Sequence, residues 1–168
     1  DIWLSEFQAD GKWGLAKNVG IPLNNRDNNY LCSITPDGNT LIIGDGYSAA
    51  TNRQRSIAIS HRTADGWSVP KPVVIKNFYN DNRFGEYSFA NDSRTLILAV
   101  ERKDSRGGKD LYVCFRQEDS TFSEPMNMGI VVNSLGHEAT PFIASDNSSL
   151  YFASDGQGGY GAFVVFVT

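Results

Sequence analysis

Residues 140–161 read T-P-F-I-A-S-D-N-S-S-L-Y-F-A-S-D-G-Q-G-G-Y-G. The pattern predicts a β-hairpin followed by a glycine-rich loop. Residues 139–144 run as one strand, 145–148 as a polar turn and 150–154 as the return strand. Asp146 and Asn147 suit the turn, because their short polar side chains bond nearby backbone groups and tolerate the dihedrals of a tight reversal.

The same phrase occurs twice upstream, as Y-L-C-S-I-T-P-D-G-N-T-L-I-I-G-D over 30–45 and E-Y-S-F-A-N-D-S-R-T-L-I-L-A-V-E over 86–101. The turn aspartates Asp37, Asp92 and Asp146 stand 55 and 54 residues apart. A period that regular marks a repeat architecture and outranks any single motif. A third strand follows each hairpin, in D-I-W-L-S (1–5), S-I-A-I-S (56–60), D-L-Y-V-C (110–114) and A-F-V-V-F (162–166). After a short polar turn, an aromatic opens a fourth strand at Trp13, Trp67 and Phe122. Pro70 and Pro125 place that strand at a sheet edge, since proline has no amide for a ladder on both sides. The three aromatics read as packing plates between neighbouring sheets.

Nothing repeats every 3.6 residues, so no helix is expected. The fold class is all-β, a β-propeller of four-stranded blades with about 54 residues per repeat. Residues 1–26 supply the last two strands of one blade, 27–80 and 81–134 two full blades, and 135–168 three strands of a fourth. A closed propeller needs at least about four blades. The chain is therefore expected to be a partial propeller, continued beyond its ends or completed by another chain.

Composition agrees with one folded unit. A chain of 168 residues buries about 70% of its unfolded surface. A hydrophobic share of 40% and a net charge of −4 exclude a disordered chain, and the mild acidity argues against a nucleic-acid partner. No apolar run approaches the roughly 20 residues of a membrane-spanning helix. The chain opens at Asp1 with no signal-peptide pattern, so compartment is not read from its start. Cys32 and Cys114 fall at unrelated repeat positions and read as two buried thiols, a disulfide between them being left open.

The phrases at 35–43, 110–113 and 140–161 resemble the TolB-type propeller repeat, in the long-blade form found in Bacteroidetes cell-envelope proteins beside OmpA-like domains. K-W-G-L-A-K-N-V-G (12–20) and F-S-E-P-M-N-M-G (122–129) are similar to it too. The likeness implies a periplasmic or outer-membrane-associated setting, with a protein partner or peptidoglycan or another glycan within reach. The middle repeat departs from it, with Asn91-Asp92-Ser93 for Pro-Asp-Gly and 103–109 for the glycine-rich loop.

Motifs of other chemistry fail in context. Residues 156–161 match the dinucleotide fingerprint but lead into a strand, whereas the phosphate site needs a helix N-terminus. They read as a flexible loop. His61 and His137 have no metal-ligand neighbours at useful spacing, so no metal or cofactor is expected. Gly46 to Ala50 only half resembles a nucleophile elbow. Asp27, Glu86 and Glu138, near the starts of innermost strands, raise a propeller-glycosidase alternative with converging carboxylates. Arg26, Arg53, Arg55, Arg83, Arg102 and Arg106 cluster in the loops joining blades and those joining second to third strands, two loop sets that emerge on one face. The expected function is a non-catalytic binding or scaffold module using that face, through Arg26, Asp27, Arg53, Arg83, Arg102, Arg106, Glu138 and Tyr160.

Overall fold

The computed structural model describes residues 1–26, 29–35, 37–44 and 57–168. They form an all-β chain, with no helix and no closed barrel. In chain order the strands are β1 (Trp3–Leu4), β2 (Lys17–Asn18), β3 (Tyr30–Ile34), β4 (Thr40–Gly44), β5 (Ile57–Thr63), β6 (Gly66–Trp67) and β7 (Lys71–Pro72). There follow β8 (Glu86–Phe89), β9 (Thr95–Val100), β10 (Asp110–Phe115), β11 (Met126–Asn127), β12 (Glu138–Ile143), β13 (Leu150–Ser154) and β14 (Val164–Val167).

The third repeat is the clearest. Its four strands form an antiparallel meander in the order β11-β10-β9-β8. The second repeat pairs β3-β4-β5, with β6 and β7 both on β5, the fourth gives β12-β13-β14, and β1 and β2 make a two-stranded sheet.

Strands such as T-L-I-L-A-V are apolar on both faces, the pattern of a strand covered on both sides. The clusters between sheets show what covers them. Ile2 and Leu23 meet Leu41 and Ile43 of the second repeat. Ile42 and Ile57, from the opposite face of that sheet, meet Tyr87, Phe89, Leu96, Leu98, Val100, Tyr112, Cys114 and Phe122 of the third. Ile97, Ala99 and Leu111 meet Ile143, Leu150 and Phe152 of the fourth. The sheets stack face to face in chain order, each side-chain alternation feeding one neighbour.

Two rows of aspartates fix the turns. In the first-to-second-strand turns, Asp37, Asp92 and Asp146 accept backbone amides two residues on, from Asn39, Arg94 and Ser148. The residue after each lies at positive φ: Gly38 at 70°, Ser93 at 56° and Asn147 at 56°. A left-handed residue costs glycine nothing, which explains Pro-Asp-Gly, whereas Ser93 bears a Cβ against the following carbonyl. The second row lies at the far turns: Asp10 and Asp119 accept the amides of Lys12 and Thr121, and Gly11, Gly66 and Ser120 follow Asp10, Asp65 and Asp119 at positive φ.

The fourth strands differ from expectation. Each breaks into an aromatic bridge (Phe7 with Trp13, Arg62 with Trp67, Arg116 with Phe122) and a separate two-residue ladder, β2, β7 or β11. Pro70 and Pro125 interrupt two of them by withholding a donor; nothing in the structure explains the break at Leu15. The aromatics also diverge. Phe122 is a buried plate, Trp67 is half-buried against the first inter-sheet cluster, and Trp13 is exposed.

Candidate functional site: the cleft at the inner strands

The first strands of three successive repeats, β3, β8 and β12, lie side by side and leave a cleft of about 370 Å³. Tyr30, Leu31 and Cys32 line one wall, Gly85, Glu86 and Tyr87 the floor, and Thr140, Pro141 and Phe142 the other wall. The exposed rings of Tyr30 and Phe142 flank it. The Tyr30 ring lies against Gly44, where any Cβ would collide with it.

Glu86 is the one carboxylate among the described lining residues. Its Oε1 takes the Lys109 ammonium at 2.7 Å, and its Oε2 accepts the Thr140 amide at 2.6 Å. Thr140 pays for that bond with a φ of 47°, in a bulge between Ala139 and Phe142. A β-branched residue held there stores strain of order 1–3 kcal/mol.

Glu138 does not join it at the surface. Glu86 pairs with Ala99 and Glu138 with Ser154, one rung apart in equivalent ladders, so the two project from opposite faces of their own sheets. Glu138 is fully buried, and its Oε1 accepts the hydroxyls of Ser134 at 2.6 Å and Ser154 at 2.7 Å. It is an internal anchor, which corrects its expected place on a docking face.

Arg102 is corrected in the same way. The guanidinium is buried, 4.1 Å above the Tyr79 ring and 5.7 Å from that of Tyr112. It donates to the Asn77 carbonyl at 3.1 Å and reaches Glu124 at 3.4 Å. Such a stacked cation fastens loop 76–85 to loop 101–109. Beside it, burial pushes the Cys114 thiol up to about 12, an inert group at neutral pH, and raises the Tyr112 phenol. No disulfide joins Cys114 to half-buried Cys32.

Arg26, Arg83, Arg106 and Tyr160 are exposed on loops. Arg83 covers the Phe84 ring at 5.4 Å, and the Arg106 amide donates to Asp110. Asp27, Arg53, Arg55 and the Gly46 to Ala50 segment lie outside the described residues. The loops do knit at one end. Asp81 N donates to the Glu101 carbonyl, Tyr79 accepts the Lys103 amide, and Gly108 N reaches the Gly136 carbonyl. Because antiparallel strands start and finish at shared ends, this is also the end from which β3 and β8 set out.

One element escaped sequence reasoning. Asn133, buried, accepts the Leu111 amide at 2.8 Å and donates to the Leu111 carbonyl at 3.0 Å; Asn24 does the same to Ile2. Each also bonds Asn127 or Asn18, whose Oδ1 accepts the amide of Gly129 or Gly20. The signal is present as N-x-G-x-x-x-N at 18–24 and 127–133, and it sets the path from the outer strand to the next inner one.

No family model, curated protein or solved structure matches this chain. The site's chemistry therefore rests on its own geometry: aromatic walls for stacking and a carboxylate paired with Lys109 and the Thr140 amide. Among the described residues no group of three or more metal-ligating side chains converges.

Proposed function

We propose that the chain is a non-catalytic binding module of propeller type, which captures a partner in the inner-strand cleft and against the knitted loop end around it. One observation carries the reading. The cleft offers exposed Tyr30, Leu31 and Phe142 on a rigid stack of sheets, while its described carboxylate is already occupied by Lys109 and the Thr140 amide. A pair of free carboxylates would favour glycoside hydrolysis; aromatic walls favour holding a chain or a sugar face. The four-stranded meander of the third repeat and the face-to-face stacking support reading each repeat as a blade. The likeness of the repeat phrases to the TolB-type repeat supports a cell-envelope setting and a partner among envelope proteins or peptidoglycan glycans.

The experiment is capture of purified muropeptides and of envelope extract on immobilised protein, with Phe142→Ala, Tyr30→Ala and the pair Arg83→Glu with Arg106→Glu. Loss of capture in the cleft variants with unchanged melting supports the cleft, and loss in the arginine pair extends the site to the rim. Retention in all three sinks the reading. Turnover of an aryl glycoside that disappears in Glu86→Gln replaces it with the enzymatic one.

A further inference from the structure

The end of the molecule that carries the aspartate turns, opposite the knitted loops, holds a second cavity. It is a groove of about 210 Å³ between the second and third repeats. Buried Phe89 and Phe122 lie at its floor. Thr40, His61 and Lys71 of the second repeat form one side, and Ser93, Arg116 and Ser120 of the third form the other. His61, Lys71 and Arg116 are exposed, and no carboxylate stands among the described lining residues. In a chain of net charge −4, a groove lined by one sign is a local reversal, and its low-dielectric walls focus the field.

The charges are uncommitted. Arg62 holds the place of Arg116 in the second repeat, and its guanidinium lies over the Trp67 ring at 5.4 Å. Among the described residues the Arg116 guanidinium stacks on no ring, and neither it nor Lys71 pairs with an acid. The adjacent carboxylates are turned elsewhere. Asp92 accepts the amides of Arg94 and Thr95, while Asp119 accepts that of Thr121 and keeps its other oxygen 3.8 Å from Lys76. Thr40 Oγ1 lies 3.2 Å from His61 Nδ1 and so orients the ring.

The two serines are an independent observation. Ser93 and Ser120 sit at φ of 56° and 63°. Gly38 and Asn147 hold the first of these places in the second and fourth repeats, and Gly11 and Gly66 hold the other in the first and second. Glycine and asparagine take such a φ at least cost, so the turns themselves give no reason for a serine. The third repeat puts a hydroxyl at both places, and both line the one groove. Neither hydroxyl bonds to another described residue. Strain held where the local fold does not require it points to function.

We infer that this groove binds a tetrahedral oxyanion, the phosphate or sulfate group of a small monoester. An arginine fork takes two oxygens side by side, and the Lys71 ammonium, the His61 ring and two hydroxyls add further donors. A carboxylate has two oxygens to offer that set, whereas a phosphate monoester has three. The site does not depend on what the inner-strand cleft binds, and the two readings fail separately.

Amide-resolved NMR titration of the isotope-labelled chain with phenyl phosphate, phenyl sulfate and benzoate, at constant ionic strength, tests it. The Ser93, Arg116 and Ser120 amides shift saturably with an ester, with Kd of about 1 mM or below, and benzoate binds about tenfold more weakly. The tighter of the two esters identifies the source of the anion. Arg116→Gln with Lys71→Gln raises Kd about tenfold or more at unchanged melting temperature, and Arg116→Gln alone serves should the pair not fold. Ser93→Gly with Ser120→Gly raises the melting temperature by relieving strain and also weakens binding, whereas purely structural serines would move the first alone. No saturable shift up to about 10 mM ester overturns the inference. So do benzoate binding as tight as that of the esters, shifts undiminished in the arginine–lysine variant, and a glycine pair that keeps wild-type affinity.

Discussion

Phe122 and Trp13 hold the same place in their repeats, and each packs edge to face on a second aromatic, Phe89 or Phe7. Phe122 is 2% exposed and Trp13 70%. The difference lies in the neighbour. Phe122 is bridged by Ile75, which arrives from the preceding repeat, and shares a cluster with Val73 and Phe78 from the same source. Trp13 meets no such segment among the described residues. A repeated residue type therefore fixes a repeated local geometry, while the adjoining sheet decides what that geometry is worth.

The largest test of that contrast is truncation at both places. Phe122→Ala is expected to cost about 3–5 kcal/mol by urea denaturation, the range for deleting a buried ring, and Trp13→Ala less than about 0.5 kcal/mol. Equal losses would break the comparison. Asn133→Ala comes next, at about 2–4 kcal/mol, because it leaves the Leu111 amide and carbonyl buried without partners. Asn24→Ala should lose less, since Asn24 is 8% exposed against 1% for Asn133. Arg102→Ala follows at about 2 kcal/mol, from loss of the desolvated stack on Tyr79, whereas exposed Arg83→Ala and Arg106→Ala should leave the melting temperature nearly unchanged.

The smallest effect is in pH. The Ser149 amide, then the Ser149 hydroxyl and the Ser148 amide, hold Asp146 at about 2, below its ordinary 3.8. The Thr35 hydroxyl lowers Asp37 and the Thr121 hydroxyl lowers Asp119 in the same sense. A carboxylate whose folded value lies below its unfolded one stabilises fully above about pH 4 and loses that contribution as pH falls through about 2. Calorimetric melting between those limits should decline more steeply in wild type than in Asp146→Asn.

What was legible in the sequence was what local chemistry decides. The hairpins at 30–44, 86–100 and 138–154 follow from an aspartate that bonds the amides just beyond it, a reach of two or three residues. The outermost position of β11 follows from the missing amide of Pro125. In sequence Arg102 has the look of a surface arginine, because a charged residue in a loop is ordinarily solvated; its burial depends on Tyr79, 23 residues away in another loop. Strand starts alone group Glu138 with Glu86, and a one-rung offset, invisible before pairing, turns it the other way. The asparagine clamps were written twice in the chain, but an asparagine in a loop reads first as a turn residue.

The glycines of the loop end carry one more consequence. Gly107, Gly136 and Gly156 come from three separate loops, and a methyl group on any of them would collide with backbone of another: Gly107 with Gly136, and Gly136 and Gly156 with each other. Gly156, at the start of the loop expected to be flexible, is part of a seam, whereas Gly158 two residues further on faces open space. A protein engineer grafting a foreign peptide onto this scaffold thus has a map in hand: insert beyond Gly158 or at the Asp119 turn, and leave the three-loop seam untouched.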